Sequence, residues 1–240
     1  MSEKVEVVKK KNLNLGPFLI PILSILVALI FGAILIWIQH INPLLTYKVL
    51  FSTAFGSVKG ISTTLAKATP LVLSGLAVAI CLRGGLFNIG AQGQLISGAL
   101  AAAWAGYHFT NLPALIHIPL ALIFGALFGA LFALIAGALK AYRGVHEVIT
   151  TIMLNSIVIT LAEYLTSTIF KEPGQPLTRT PIIAPSARIP KIFGLPSGFF
   201  IAVAIAVALW WIMRNTTTGF RLETVGRNKN AAWYAGIPIK

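Results

Sequence analysis

Residues 16–38 run without one charged side chain. A helix crosses a bilayer with about 20 consecutive apolar residues, and this run is long enough. Five more stretches reach or approach that length, so six spans are expected, at 17–39, 62–82, 87–107, 118–140, 147–169 and 198–213. The last is short and can extend at its N-terminal end. Composition leads to the same class. Charged residues are 10% of the chain, against about 25% in an ordinary soluble domain. A soluble chain of 240 residues could not bury so many apolar helices on every side. The expected fold is all-α: one transmembrane domain over 1–240, a polytopic bundle of about six spans, multi-pass in the cell membrane.

The 19 Lys and Arg give a net charge of +13. They lie between apolar runs rather than on one face, which argues against nucleic-acid binding. Their distribution sets the orientation instead. With the N-terminus inside, twelve fall on the cytosolic side: Lys4, Lys9, Lys10, Lys11, Arg83, Lys140, Arg143, Arg214, Arg221, Arg227, Lys229 and Lys240. Seven fall outside: Lys48, Lys59, Lys67, Lys171, Arg179, Arg188 and Lys191. The excess favours an N-in, C-in topology. The first apolar run is too long for the core of a signal peptide, and no clear small-residue cleavage site follows it. A lone Cys81 excludes an intrachain disulfide.

Two loops stand out. The external loop, 171–197, carries Pro173, Pro176, Pro181, Pro185, Pro190 and Pro196. It is too rich in proline for a helix and long enough for a small platform. The cytosolic segment, 214–240, is polar and basic. Within it Asn228 or Asn230 can cap a short helix that Gly236 ends. In the fourth span Gly125, Gly129, Ala133 and Gly137 recur every four residues. Such a ridge lets two helices approach closely and implies packing rather than chemistry.

Signatures of catalysis are missing. The sequence has no G-x-x-x-x-G-K-[ST] loop for nucleotide phosphates. His146-Glu147 starts like H-E-x-x-H, but Thr150 stands where the second His belongs. The chain contains no Asp, so a Ser-His-Asp set is impossible. No catalytic residue, metal site or cofactor is assigned.

The polar residues inside the spans carry the functional reading. In "GGLFNIGAQGQLISGAL", residues 84–100, Asn88, Gln92, Gln94 and Ser97 sit among five glycines. An unpartnered amide in an apolar medium costs about 2–7 kcal/mol. The glycines at 84, 85 and 90 disfavour a continuous helix. Asn88 and Gln92 are spaced as neighbours on one helix face, with Gln94, Ser97 and Gly98 on another. Irregular backbone at membrane depth is tolerated where protein or a water-filled cavity satisfies it, and broken helices line transporter sites. The plainer alternative is a cytosolic loop followed by a polar helix start. In the second span Thr63, Lys67, Pro70 and Ser74 form one stripe, facing the bundle interior or a water path. Lys67 either snorkels or joins that path. In the fifth, Glu147, Thr151 and Asn155 fall at i, i+4 and i+8. Glu147 suits a helix first turn. Asn155 lies deeper, as a pathway residue or an interhelical hydrogen bond. The candidate substrate pathway is Ser74, Asn88, Gln92, Gln94, Thr151 and Asn155.

Three blocks occur in order: "ATPLVLSGLAVAICLRGGLFNIGAQGQLISGALAA", "GVHEVITTIMLNSI" and "GFRLETVGRNKNAAWYAGI". Together they resemble the permease subunits of ATP-binding-cassette importers of the branched-chain amino acid and simple-sugar class, above all its simple-sugar and nucleoside subgroup. The similarity extends from about Lys59 to Lys240. The resemblance implies a permease that pairs with a second permease subunit. It also implies a cytosolic ATP-binding-cassette ATPase that supplies the energy, and an external solute-binding lipoprotein that delivers the solute. The missing nucleotide loop, found independently, fits a subunit powered by a partner. Family members often carry Glu where this chain has Gln92. They also continue for several helices past the cytosolic loop, so the resemblance implies that this chain is part of a longer permease.

The resemblance places the ATPase-contacting helix in 219–236, with Arg221, Gly226, Asn230, Ala231, Ala232 and Gly236 as coupling residues. The segment's own features suit docking. It is basic and sets small alanines beside Trp233 and Tyr234. The alternative is a basic loop resting on anionic lipid. The neutral amides in the spans suit a nucleoside or simple sugar, and would serve an amino acid's backbone nearly as well. Two other readings are an ion-driven secondary transporter and a non-transporting membrane scaffold. The first would favour titratable groups near mid-membrane, whereas only Lys67 and Glu163 lie inside spans, both toward the outer side.

Overall fold

The computed structural model describes residues 16–239, with side chains from Leu19 onward. Lys4, Lys9, Lys10, Lys11 and Lys240, which entered the charge count, lie outside the described residues. The chain forms two compact units, Met1–Gly60 and Ile61–Lys240.

The first unit holds α1 (Gly16–Ile38) and α2 (Pro43–Phe55). The second helix was not expected from the apolar runs. Its 13 residues rise only about 20 Å, too short to span the hydrocarbon. Local chemistry starts it. The Asn42 side-chain oxygen accepts from the Leu44 and Leu45 N–H groups at 3.0 and 3.2 Å, and Pro43 opens the first turn, where its missing N–H is not needed. Tyr47 ties α2 to α1 by donating its hydroxyl to the Leu29 carbonyl at 2.6 Å.

The second unit opens within α3 (Val58–Arg83) and continues through α4 (Ala91–His108), α5 (Ala114–Arg143), α6 (Glu147–Ser167), α7 (Ser197–Asn215), α8 (Thr217–Arg227) and α9 (Lys229–Tyr234). Among the described residues, five helices are long and apolar enough to cross a membrane: α1, α3, α5, α6 and α7. The sixth expected span is α4. It starts at Ala91 rather than at 87, and its amides and glycines keep it out of the apolar class. Its 18 residues still rise about 27 Å, close to the thickness of the hydrocarbon. The last span gains one residue at its N-terminal end and two at its C-terminal end relative to 198–213.

The centre of this unit is α4 packed against α5 and α6. Its buried residues are small: Gly93, Ser97, Ala101, Ala105 and Gly106. A methyl group placed on Gly98 would stand 2.7 Å from the Gly125 carbonyl oxygen, so the two backbones touch. Lipid supplies no hydrophobic drive between helices, and such close contact is what holds them together. The expected ridge therefore packs through Gly125 and Gly129. Gly137, its last member, faces open space.

At one end of the bundle Lys140 Nζ stands 2.7 Å from Glu147 Oε2 across the α5–α6 turn. Glu147 does open α6, with a cation as partner as well as the helix dipole. At the other end the proline-rich loop folds over α4 and α5. It has a 3₁₀ turn at Pro185–Ala187 and a minimal antiparallel pair, β1 (Lys191–Ile192) with β2 (Leu195–Pro196). His117 on α5 latches it. The imidazole is fully buried, with Nε2 3.0 Å from the Ala105 carbonyl and Nδ1 2.8 Å from Ser186 Oγ. A carbonyl only accepts, so Nε2 carries the proton and Nδ1 accepts from the serine hydroxyl. The Ala184 N–H adds a bond to the Gly106 carbonyl at 2.8 Å. His117→Ala leaves a cavity and an unpaired Ser186, for an expected loss of about 2–4 kcal/mol. Limited proteolysis should then cut within 171–197 sooner. Cleavage at the wild-type rate would remove the latch.

Candidate functional site

The helix break expected between the second and third spans is present, over residues 84–90. Gly85 takes φ 75°, a left-handed conformation that ends α3. The Leu86 N–H returns to the Cys81 carbonyl at 2.9 Å. Asn88 then turns the chain: its side-chain oxygen accepts from the Gly90 N–H at 2.8 Å, an Asx turn. The Asn88 and Gln94 amides face each other, 3.4 Å apart in both donor–acceptor directions. This corrects the pairing of Asn88 with Gln92. Asn88 precedes the helix, so helical spacing does not govern it, and Gln92 is exposed.

The start of α4 needs outside help. Gly90 is its N-cap and has no side chain to offer the first-turn N–H groups. Asn155, on α6, supplies one. Its Oδ1 accepts from the Gly93 N–H at 2.9 Å, and its Nδ2 donates to the Ile89 carbonyl at 2.9 Å. One amide thus satisfies backbone both in the break and in the first turn of α4, as membrane depth requires. Of the two roles left open for Asn155, the interhelical hydrogen bond is the one observed. Thr151, one turn earlier, is buried and donates back to the Glu147 carbonyl at 2.8 Å.

Gly90, Gly93, Gln94, Thr151 and Asn155 line a cavity of about 10 Å³, room for about one water. Next to it, between α4, α5 and α6, lies a cavity of about 370 Å³. Its walls include Trp104, Phe124 and Phe128, and Ser97 is its main polar feature. Ser74 lies on neither cavity. It is half-buried on α3 and donates to the Pro70 carbonyl at 2.8 Å. Thr63, Lys67 and Pro70, which share its stripe, are exposed.

The segment expected to meet the ATPase forms two short helices directly after α7. Thr216 caps α8 through the Gly219 N–H at 3.3 Å. Asn228 caps α9 through the N–H groups of Asn230 and Ala231 at 3.0 and 3.1 Å. Gly236, at φ 73°, follows its end. The cap and stop expected from sequence are both present. Arg221, Asn230 and Ala231 are exposed. Ala232 is fully buried within the chain's own fold, whereas Trp233 and Tyr234 are 65% and 83% exposed. The open face of this segment is thus the pair of aromatics, 5.2 Å apart between ring centroids, while Ala232 packs inward. Arg227 pairs with Glu223 at 2.7 Å on the surface of α8.

One contact joins the two sets of residues. Gly226, in the last turn of α8, lies against the C-terminal end of α3. A methyl group on it would collide with the Arg83 carbonyl oxygen and stand 2.8 Å from the Gly85 nitrogen. A methyl on Gly85 would meet Gly226 Cα at 2.9 Å. The backbone of the segment after α7 thus rests on the break that leads into α4. Both glycine positions stand out in the sequence but not their contact, which spans 141 positions and leaves no local signal.

Comparison with known proteins identifies the architecture. The family described as "Branched-chain amino acid transport system / permease component" matches residues 60–240. The guanosine ABC transporter permease protein NupP of Bacillus subtilis is 38% identical over 235 residues, covering 95% of this chain and 66% of the relative. The nucleoside ABC transporter permease protein NupB of Lactococcus lactis is 35% identical, covering 92% and 64%. The glucose ABC transporter permease protein TsgB13 of Haloferax volcanii is 34% identical, covering 90% and 60%. The chain spans just under two thirds of the length of these relatives. No solved structure matches it. With the family match over most of the chain and helices fit to cross a bilayer several times, this is a multi-pass membrane protein that belongs to the branched-chain amino acid transport system permease family.

Proposed function

We propose that this chain is the membrane-spanning permease part of an ATP-driven importer for a small neutral solute, a nucleoside or a simple sugar. Three similar proteins are named for guanosine, nucleosides and glucose. The observation that carries the proposal is the backbone contact of Gly226 with Arg83 and Gly85. It gives a segment suited to docking a direct mechanical hold on the broken helix. In this reading 214–240 is cytosolic and receives a cytosolic ATPase, a second permease subunit completes the pathway, and the loop 171–197 faces an external solute-binding lipoprotein. The bilayer end that holds Arg83, Lys140, Arg143 and Arg214 is then the inner one, in keeping with the positive-inside rule. Asn88, Gln94 and Asn155 hold the backbone of the break, with Thr151 buried beside it. Gln92, exposed on the first turn of α4, is the amide open to a solute.

Co-expression with the second permease subunit, the ATPase and the binding protein, followed by reconstitution, tests this reading. Uptake of labelled guanosine or glucose should require ATP. Uptake driven by an ion gradient without ATP would replace it with secondary transport. The docking face is tested in the same preparation. Trp233→Ala with Tyr234→Ala should reduce co-purification of the ATPase at least about tenfold, since buried aromatic anchors dominate many interfaces. Full retention of the ATPase would move docking elsewhere.

A further inference from the structure

A groove of about 530 Å³ lies between α3, α7 and α8, apart from the cavities beside α4. Its chemistry changes along its length. Arg83, at the end of α3, and Arg214, at the end of α7, line its mouth. Trp210 lies there too, with the Arg214 guanidinium 5.9 Å from its ring centroid. Both arginines are exposed, and neither has a carboxylate partner among the described residues. Glu223, the acidic member of the lining, is taken by Arg227 at 2.7 Å. Below the arginines the wall is apolar: Leu76 and Ile80 from α3, Ala206 and Leu209 from α7. Leu76 and Ala206 sit about 10–12 Å along their helices from the two arginines, well within the span.

We propose that this groove seats an anionic phospholipid, with its phosphate between Arg83 and Arg214 and an acyl chain along Ile80, Ala206 and Leu209. Two cations left without carboxylates at a membrane surface call for an anion. Lipid phosphate is available at that depth, and basic pockets between membrane helices suit such headgroups. The apolar wall belongs to two membrane-spanning helices, so a cytosolic protein would have to enter the hydrocarbon to fill it. Trp210, amphipathic and beside the cation, fits the interfacial position that the headgroup would share. The site is independent of the transported solute.

Native mass spectrometry of the purified chain, exchanged into mixed phosphatidylglycerol and phosphatidylcholine, tests the site. The wild type should retain phosphatidylglycerol in preference to phosphatidylcholine. The R83Q/R214Q pair should retain about tenfold less of it or lower, and the charge-matched pair R188Q/K191Q, on the distal loop, should match the wild type. Ala206→Trp fills the apolar end while keeping both arginines, and should lose the lipid as well. It guards against misfolding of the arginine variants. Inorganic phosphate alone should not displace the lipid. Equal retention by R83Q/R214Q and its charge-matched control would overturn the site and leave the groove to a protein partner. So would equal retention of the two lipids by the wild type.

Discussion

Asn155→Leu should destabilise the bundle and, under the proposed function, lower uptake with it. The substitution strands two backbone groups at once, the Gly93 N–H and the Ile89 carbonyl, each now 2.9 Å from the Asn155 amide. An unpaired buried group costs about 1–3 kcal/mol. Part of that is recovered inside a membrane, where measured interhelical bonds average about 0.6 kcal/mol. A net loss of about 2 kcal/mol is expected. It falls on the first turn of α4, whose own cap residue is a glycine. Thermal unfolding in detergent should show a lowered midpoint, and uptake should fall in parallel. An unchanged midpoint with abolished uptake would instead put Asn155 in contact with the solute. Gln92→Leu supplies the contrast. Gln92 is exposed, so its loss should leave the midpoint in place and act on uptake alone.

That contrast shows how far the sequence could be read. Apolar run length found α1, α3, α5, α6 and α7 to within a few residues, because the bilayer imposes one length on every span. It could not find α2, which answers to Asn42 and Pro43 rather than to a membrane thickness. The break was legible in its glycines, and the cap of α9 in Asn228. The partners of the break were not. Asn88 meets Gln94 because the Asx turn places it outside the helix, where periodicity says nothing. Asn155 meets Gly93 across 62 positions, and His117 meets Ser186 across 69. Such pairs depend on how the helices pack. The sequence marks each residue as polar in an apolar setting but does not name its partner.

Gly226→Ala should separate energy coupling from assembly. The added methyl collides with the Arg83 carbonyl oxygen and crowds the Gly85 nitrogen. Both obstacles are backbone, so neither can rotate away. Overpacking of this kind costs about 1–3 kcal/mol, and the cheapest relief is for α8 to lift off the end of α3. The aromatic face of α9 is untouched: Trp233 and Tyr234 stay exposed, and the Asn228 cap that holds α9 is two residues on. Under the proposed mechanism the ATPase should therefore still co-purify and still hydrolyse ATP, while uptake falls at least about tenfold, the equivalent of about 1.4 kcal/mol. Gly85→Ala should act in the same direction, since it crowds Gly226 from the other side and places a side chain at φ 75°. The two changes attack one contact. Their effects should fall short of additive in the double variant, as for residues that touch. Strict additivity, or normal uptake by Gly226→Ala, would show that force reaches α4 by another route.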